Sequence, residues 1–215
     1  METGNELAVI RGHAELYERT WHLFTSAKTE IACAANDLFT WVSAKAAPAM
    51  PAEPLPGFSV RKLYRPAVLL DPVRAGHVRR LAEHGARIRI TTDEINETIL
   101  IDRRVAILAG DTAHGERSFS VVWAPDVVAA VGSLFDAAWR AATDLAGYDR
   151  ELAELRTLAP RILELLGSGC KDETAARTLT LSVRTYRRRV AELMAALGAT
   201  SRFQAGVRAR QLGLV

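Results

Sequence analysis

Cysteine is nearly missing from this chain: 215 residues hold only Cys33 and Cys170, far apart, with no CxxC pair and no neighbouring pair of histidines. That pattern argues against a disulfide framework or a zinc site, and two reduced core thiols in a cytoplasmic protein are the expectation. Long apolar runs are missing too. None approaches the roughly 18 residues that a membrane-spanning helix needs, so no membrane partner is expected. The opening METGNELAVIRGH has acids and a glycine where a signal peptide carries a basic and then an apolar stretch. No lysine occurs between Lys62 and Lys171. No metal-ligand cluster, Ser-His-Asp arrangement or phosphate-cradling glycine loop stands out, so no cofactor and no metal is expected. What is present is a hydrophobic content of 49% at a mean hydropathy of +0.02, enough apolar material for a buried core.

The net charge of +3 says little, but its distribution is uneven. From Glu151 to the end the balance is +5, whereas the first 150 residues carry −2. A near-neutral body with a basic tail points to nucleic acid as the partner of the tail. Secondary-structure signals divide at about the same place. ELAVIRG, EIACAAND, FSVRKLYRP, ARIRITTD and SFSVVWA read as strands, and ETILIDRRVAILAGD as two strands joined tightly at Asp102-Arg103-Arg104. HAELYERTWHLFTSAK, VRAGHVRRLAEHG and the segment opening at Pro125 read as helices. Four prolines in AKAAPAMPAEPLPG predict a loop over 44–57. After Gly147 strand signals stop, and breaks at 167–169, 180–182 and 198–201 separate short helices. The expected organisation is α/β: a sheet-and-helix domain over 1–147, a linker helix over 148–157 and a small all-α domain over 158–215.

Within that tail, KDETAARTL reads as one short helix, TLS as a turn and VRTYRRRVAELMAALG as the next helix, with Ser182 as its N-cap. At about 100° per residue, Val183, Tyr186, Val190, Leu193 and Leu197 share an inward face. Arg188 projects opposite, with Arg184 and small Ala191 beside it and Arg187 on the flank; Thr185 and Arg189 fall toward the other side. A helix-turn-helix uses this geometry, its second helix entering the major groove N-terminal end first. Arginine there donates to guanine O6 and N7. A solvated basic face is the competing reading of four arginines in six residues.

The segment from Leu158 to Leu214 resembles the LuxR/GerE-type DNA-binding domain. The resemblance rests on Pro160-Arg161, Gly169, Ala176, Leu179, Leu181-Ser182, Thr185, Leu197-Gly198 and Ser201-Arg202, with the spacing kept throughout. The chain departs from the family pattern at Ala159, Ile162, Ala175, Tyr186 and Arg189, and at Thr180, where the family's turn often has glycine. The resemblance implies that Arg187 and Arg188 reach bases, assisted by Arg184, and that Lys171, Thr185 and Arg202 meet the backbone. Ser182 and Arg189 complete the candidate DNA-binding set. It further implies that the last helix, 201–212, is a pairing surface, so a homodimer on double-stranded DNA is expected.

The hairpin TILIDRRVAILAG resembles the Asp-containing strand-turn-strand of the phospholipase D superfamily. With Asp102 as that aspartate, the family's histidine and lysine positions hold Ile95 and Glu97, so both catalytic types are absent. None of the five histidines has a lysine two residues later. A phosphodiesterase needs an imidazole nucleophile and a cation on the phosphoryl oxygens, and the chain is therefore not expected to be an enzyme. The element order resembles the non-catalytic phospholipase D-like effector region of some bacterial regulators, including the TrmB type. That resemblance implies a domain that binds an unknown small-molecule effector, pairs subunits, or both. Trp41, Tyr64 and Trp123 are candidates to line a pocket, though aromatics near strand ends commonly serve the core. A phosphorylated receiver domain fits poorly, because Asn36-Asp37 and Asp71 are weak stand-ins for its acids and the late lysine is missing. The expectation is a bacterial transcriptional regulator. A phosphodiesterase-like protein, or a ligand- or partner-binding protein whose helical tail docks protein, remains the alternative.

Overall fold

A computed structural model describes residues 6–36, 57–113 and 116–215. The proline-rich loop over 44–56, Trp41 and Asp37 lie outside the described residues. The architecture is α/β, as the alternation of periods predicts. Strand β1 (Leu7–Arg11) leads into helix α1 (Gly12–Thr25), then β2 (Glu30–Ala35) and β3 (Ser59–Tyr64). A 3-10 turn over Pro66–Leu69 precedes α2 (Pro72–Glu83), β4 (Arg87–Ile90), β5 (Thr98–Ile101), β6 (Val105–Ala113) and β7 (Glu116–Val122). Helix α3 (Pro125–Ala141) and a two-residue strand β8 (Thr143–Asp144) end the sheet region.

The eight strands form one sheet in the order β1-β7-β6-β5-β2-β3-β4-β8. Strands β2, β3 and β4 run parallel to one another and the remaining pairs are antiparallel. Central strand β2 is short-chained and dry: Ala32, Cys33, Ala34 and Ala35 are all buried. Alternate residues face opposite sides of a strand. Ala32 and Ala34 accordingly pack under α3 with Leu63, Leu100, Val128 and Phe135, while Cys33 and Ala35 belong to the opposite layer with α1 and α2. A sheet covered on both faces explains why its strands read as continuous apolar runs.

Helices α4 (Leu145–Glu151), α5 (Ala153–Gly167), α6 (Asp172–Thr178), α7 (Val183–Leu197) and α8 (Arg202–Gln211) follow. The single linker helix expected over 148–157 is instead two helices, broken at Leu152. Helix α5 runs on through position 158 and contains Pro160, whose ring lacks the N–H that an interior helical position donates. The buried side chains of these helices, among them Leu155, Ile162, Tyr186, Val190, Leu193 and Leu197, join the same core as Val68, Leu69 and Leu70 of the sheet region. Polar ties cross the same boundary. Arg156 Nε donates to the Leu69 carbonyl at 2.5 Å and Arg79 Nε to Asp149 Oδ2 at 2.7 Å, while Arg156 also pairs with Asp149.

Candidate nucleic-acid interface

Helix α6 ends in a Schellman motif: Thr180 N–H donates to the Arg177 carbonyl at 3.1 Å and Leu181 N–H to the Ala176 carbonyl at 2.8 Å. The motif requires a left-handed residue, and Thr180 supplies it at φ +56. Two residues later Ser182 is the N-cap of α7, its Oγ accepting from Thr185 N–H at 3.1 Å. The chain thus leaves one helix and enters the next within four residues, fixing the angle between them. Tyr186, Val190, Leu193 and Leu197 are buried as the 3.6-residue period predicts, while Val183 is half-buried.

The arginines divide by what they touch. Arg187 and Arg188 keep 59% and 64% of their side-chain surface exposed, and Arg184 is exposed as well. Arg189 keeps only 14%; it pairs with Glu154 of α5 and donates from Nη1 to Glu192 Oε2 at 2.8 Å. Arg189 therefore does not join the outward set but fastens α7 to α5. Arg184 and Lys171 form no ion pair among the described residues. Lys171 occupies the N-cap position of α6, one residue before Asp172.

Asp172 is the residue that sequence reasoning missed. Its Oδ2 accepts from Arg187 Nε and its Oδ1 from Arg202 Nη1, each at 2.7 Å, so one carboxylate ties α6 to both α7 and α8. The two guanidinium groups, Arg202 first, hold the Asp172 carboxyl down at about 2. Glu173 stands 3.6 Å from Arg187 and Glu192 3.6 Å from Arg188. The signal in the sequence was an acid opening a short helix fifteen residues before an arginine, which no local pattern distinguishes from a charge placed at a helix N-terminus. Arg184 and Arg188 are exposed, while Arg187 and Arg202, tied to Asp172, line a shallow groove with Ala191 and Ala195.

In the sheet region, Asp102 is a structural aspartate. Its carboxylate accepts from the backbone N–H groups of Lys28, Thr29 and Glu30 at 2.8–2.9 Å and from Thr29 Oγ1 at 2.8 Å. Burial raises its pKa, but those donors outweigh burial and bring it to about 2. Glu97 lies at the other end of β5, roughly 16 Å away along the strand. It is buried, pairs with Arg117 and accepts from Asn36 N–H at 2.9 Å. Asp71 caps α2, accepting from Arg74 N–H at 2.8 Å. Of the pocket candidates, Tyr64 is core and Trp123 is partly exposed beside β1. Among the described residues no group of three metal-ligating side chains converges, and no helix is long and apolar enough to cross a membrane.

No known family model matches the chain. It is 32% identical over 164 residues to the bialaphos biosynthetic pathway regulatory protein of Streptomyces hygroscopicus, covering 75% of this chain and 63% of that one. The chain thus spans less than two thirds of that relative's length. Among solved structures it is similar to TrmBL2, an archaeal chromatin protein, at 17% identity and a TM-score of 0.49, covering 67% of this chain and 57% of that chain. It is also similar to Nuc, a phospholipase D family member from Salmonella typhimurium, at 16% identity and a TM-score of 0.48, covering 65% and 98%. A relative of this chain is, then, a regulatory protein.

Proposed function

We propose that this chain is a sequence-specific DNA-binding transcriptional regulator with a helix-turn-helix of the LuxR/GerE type. Helix α7 enters the major groove, Arg187 and Arg188 reading bases with the help of Arg184. Lys171, Ser182, Thr185 and Arg202 bind phosphates. Arg189 acts indirectly by holding the helix. One observation carries the reading: a Ser182-capped helix buries its aliphatic side while Arg187 and Arg188 stay more than half exposed. The regulatory name of the Streptomyces relative supports it. The α/β region serves effector binding, pairing or both, without phosphodiesterase chemistry, since Ile95 and Glu97 stand where that chemistry needs histidine and lysine. Homodimers pair through α8, where Phe203 and Val207, one turn apart, are 83% and 43% exposed.

The test is a gel shift of the full chain against random duplex DNA at two salt concentrations, followed by selection of bound genomic fragments. Binding that weakens steeply with salt, with enrichment of a recurring site, is expected. Indifference to duplex DNA at low salt overturns the reading in favour of a tail that docks protein.

A further inference from the structure

A cleft of about 750 Å³ lies between the sheet and the helical tail. One wall comes from the strand ends, with Arg65, Glu94 and Glu97; the other comes from the end of α7 and from α8, with Leu197, Arg208 and Gln211. Arg65 follows β3 directly and is buried, at 8% exposure. Its Nη1 donates to the Asp93 carbonyl at 2.5 Å, and Arg208 Nη1 donates to the Leu197 carbonyl at 2.9 Å. Both acceptors are neutral. Neither guanidinium forms an ion pair among the described residues, whereas Arg117 in the same cleft is matched by Glu97.

The two cations are crowded together. A Cβ built at position 198 would press on both Arg65 Nη2 and Arg208 Nη1, so the two guanidinium ends meet over this residue, whose φ of +66 favours glycine. Burial, and then the charge of Arg208, hold the Arg65 guanidinium below its ordinary range. Two like charges in a partly dry cleft are costly, and the nearby charges of Glu94 and Asp93 offset that cost only in part. Paired guanidinium groups are also a ready fork for phosphate or carboxylate oxygens. Asn36, Asn96 and Gln211 offer amides for the rest of a polar ligand.

We infer that Arg65 and Arg208 form a binding site for a small oxyanion-bearing molecule, a phosphate or a carboxylate, held between the α/β region and α8. An occupant bonded to both arginines bridges the sheet and the helix that follows α7. Occupancy thus favours one docking of the helical tail, and the consequence for DNA binding rests on the function proposed above.

The test begins without DNA. The full chain is melted in rising inorganic phosphate, and separately in citrate, against chloride of matched ionic strength. The expected result is a concentration-dependent rise in melting temperature. A rise in phosphate alone assigns a phosphorylated ligand, and one in citrate alone assigns a carboxylate. Arg208→Gln should weaken the apparent affinity about tenfold, and Glu94→Gln, which removes the nearby acid, should strengthen it. Arg210→Gln, an exposed charge on the same helix, should leave it unchanged. No rise in either anion, a rise that survives Arg208→Gln, or one equally lost in Arg210→Gln overturns the site. Duplex affinity is then compared with and without the effective anion in the parent and in Arg208→Gln. An anion-dependent change confined to the parent supports the coupling, and none overturns it. Failure to bind DNA at all sinks the regulator reading and leaves the melting result standing.

Discussion

At the level of single residues, two positions carry a cost that substitution exposes. Thr180 is a β-branched residue in the left-handed region, at the place where α7 and α8 end on Gly198 and Gly213 at φ +66 and +65. A left-handed L-residue costs roughly 1–2 kcal/mol, partly offset by the extra freedom glycine has when unfolded. Thr180→Gly should therefore stabilise the chain by up to about 1 kcal/mol in denaturant melts without altering DNA affinity. Asp172 costs the interface instead. Its single negative charge offsets half that of Arg187 and Arg202 and would face a phosphate backbone as a like charge. Asp172→Asn should raise affinity for random duplex severalfold and steepen its salt dependence. The folded carboxyl titrates near 2, below the ordinary 3.8. The stability it contributes is thus present above pH 3.8 and lost as pH falls toward 2. Acid-unfolding curves of the parent and Asp172→Asn should converge in that window, and curves that stay parallel through it would show that the ionic tie contributes nothing.

At the level of elements, Arg188 serves recognition alone, whereas Ser182 serves stability as well. Ser182→Ala removes the cap of α7 and should cost about 1 kcal/mol in stability. Arg188→Ala should leave the melt alone, lose about 1–3 kcal/mol of specific binding and relax preference at one base position. An unchanged site preference in that variant would take Arg188 out of the groove. These elements were legible in the sequence because their signals are local. Val190, Leu193 and Leu197 recur at helical spacing, Ser182 precedes the run, and Gly198 follows it. Likewise Asp102 and Arg103, both at positive φ, mark the tight β5–β6 turn that the sequence places there, closed by Arg104 N–H to the Ile101 carbonyl at 2.9 Å. What escaped depends on partners distant in the chain. Strand β8 has two residues and exists because Thr143 and Asp144 pair with β4. The 3-10 turn over Pro66–Leu69 is wholly buried and so has no period to read. Asp102 resembled a catalytic aspartate because its amide donors, Lys28, Thr29 and Glu30, lie more than seventy residues away. Arg189 belongs to the DNA-binding set by sequence, but its partner Glu154 lies thirty-five residues away and holds it against α5.

At the level of the whole molecule, the composition shift after Gly147 suggests two independent units, yet one core runs from β4 through Val68 and Leu69 into Leu155, Ile162 and Leu193. Shared burial couples the stabilities of its two sides, because unfolding either exposes apolar surface on the other. The distribution of tryptophan makes this measurable. All four tryptophans precede residue 147, and the three described ones, Trp21, Trp123 and Trp139, stand in the sheet region, so fluorescence is weighted toward that region. Far-ultraviolet circular dichroism is weighted toward helix, to which α4–α8 contribute heavily. Urea unfolding followed by the two signals should give coincident transitions for the parent chain. Leu155→Ala, which opens a cavity on the boundary, should destabilise both signals together by about 2–5 kcal/mol. Two separated transitions in the parent, with the dichroism falling first, would mean that the tail folds and moves as a body of its own, and the Arg65–Arg208 cleft would then be a seam that opens readily.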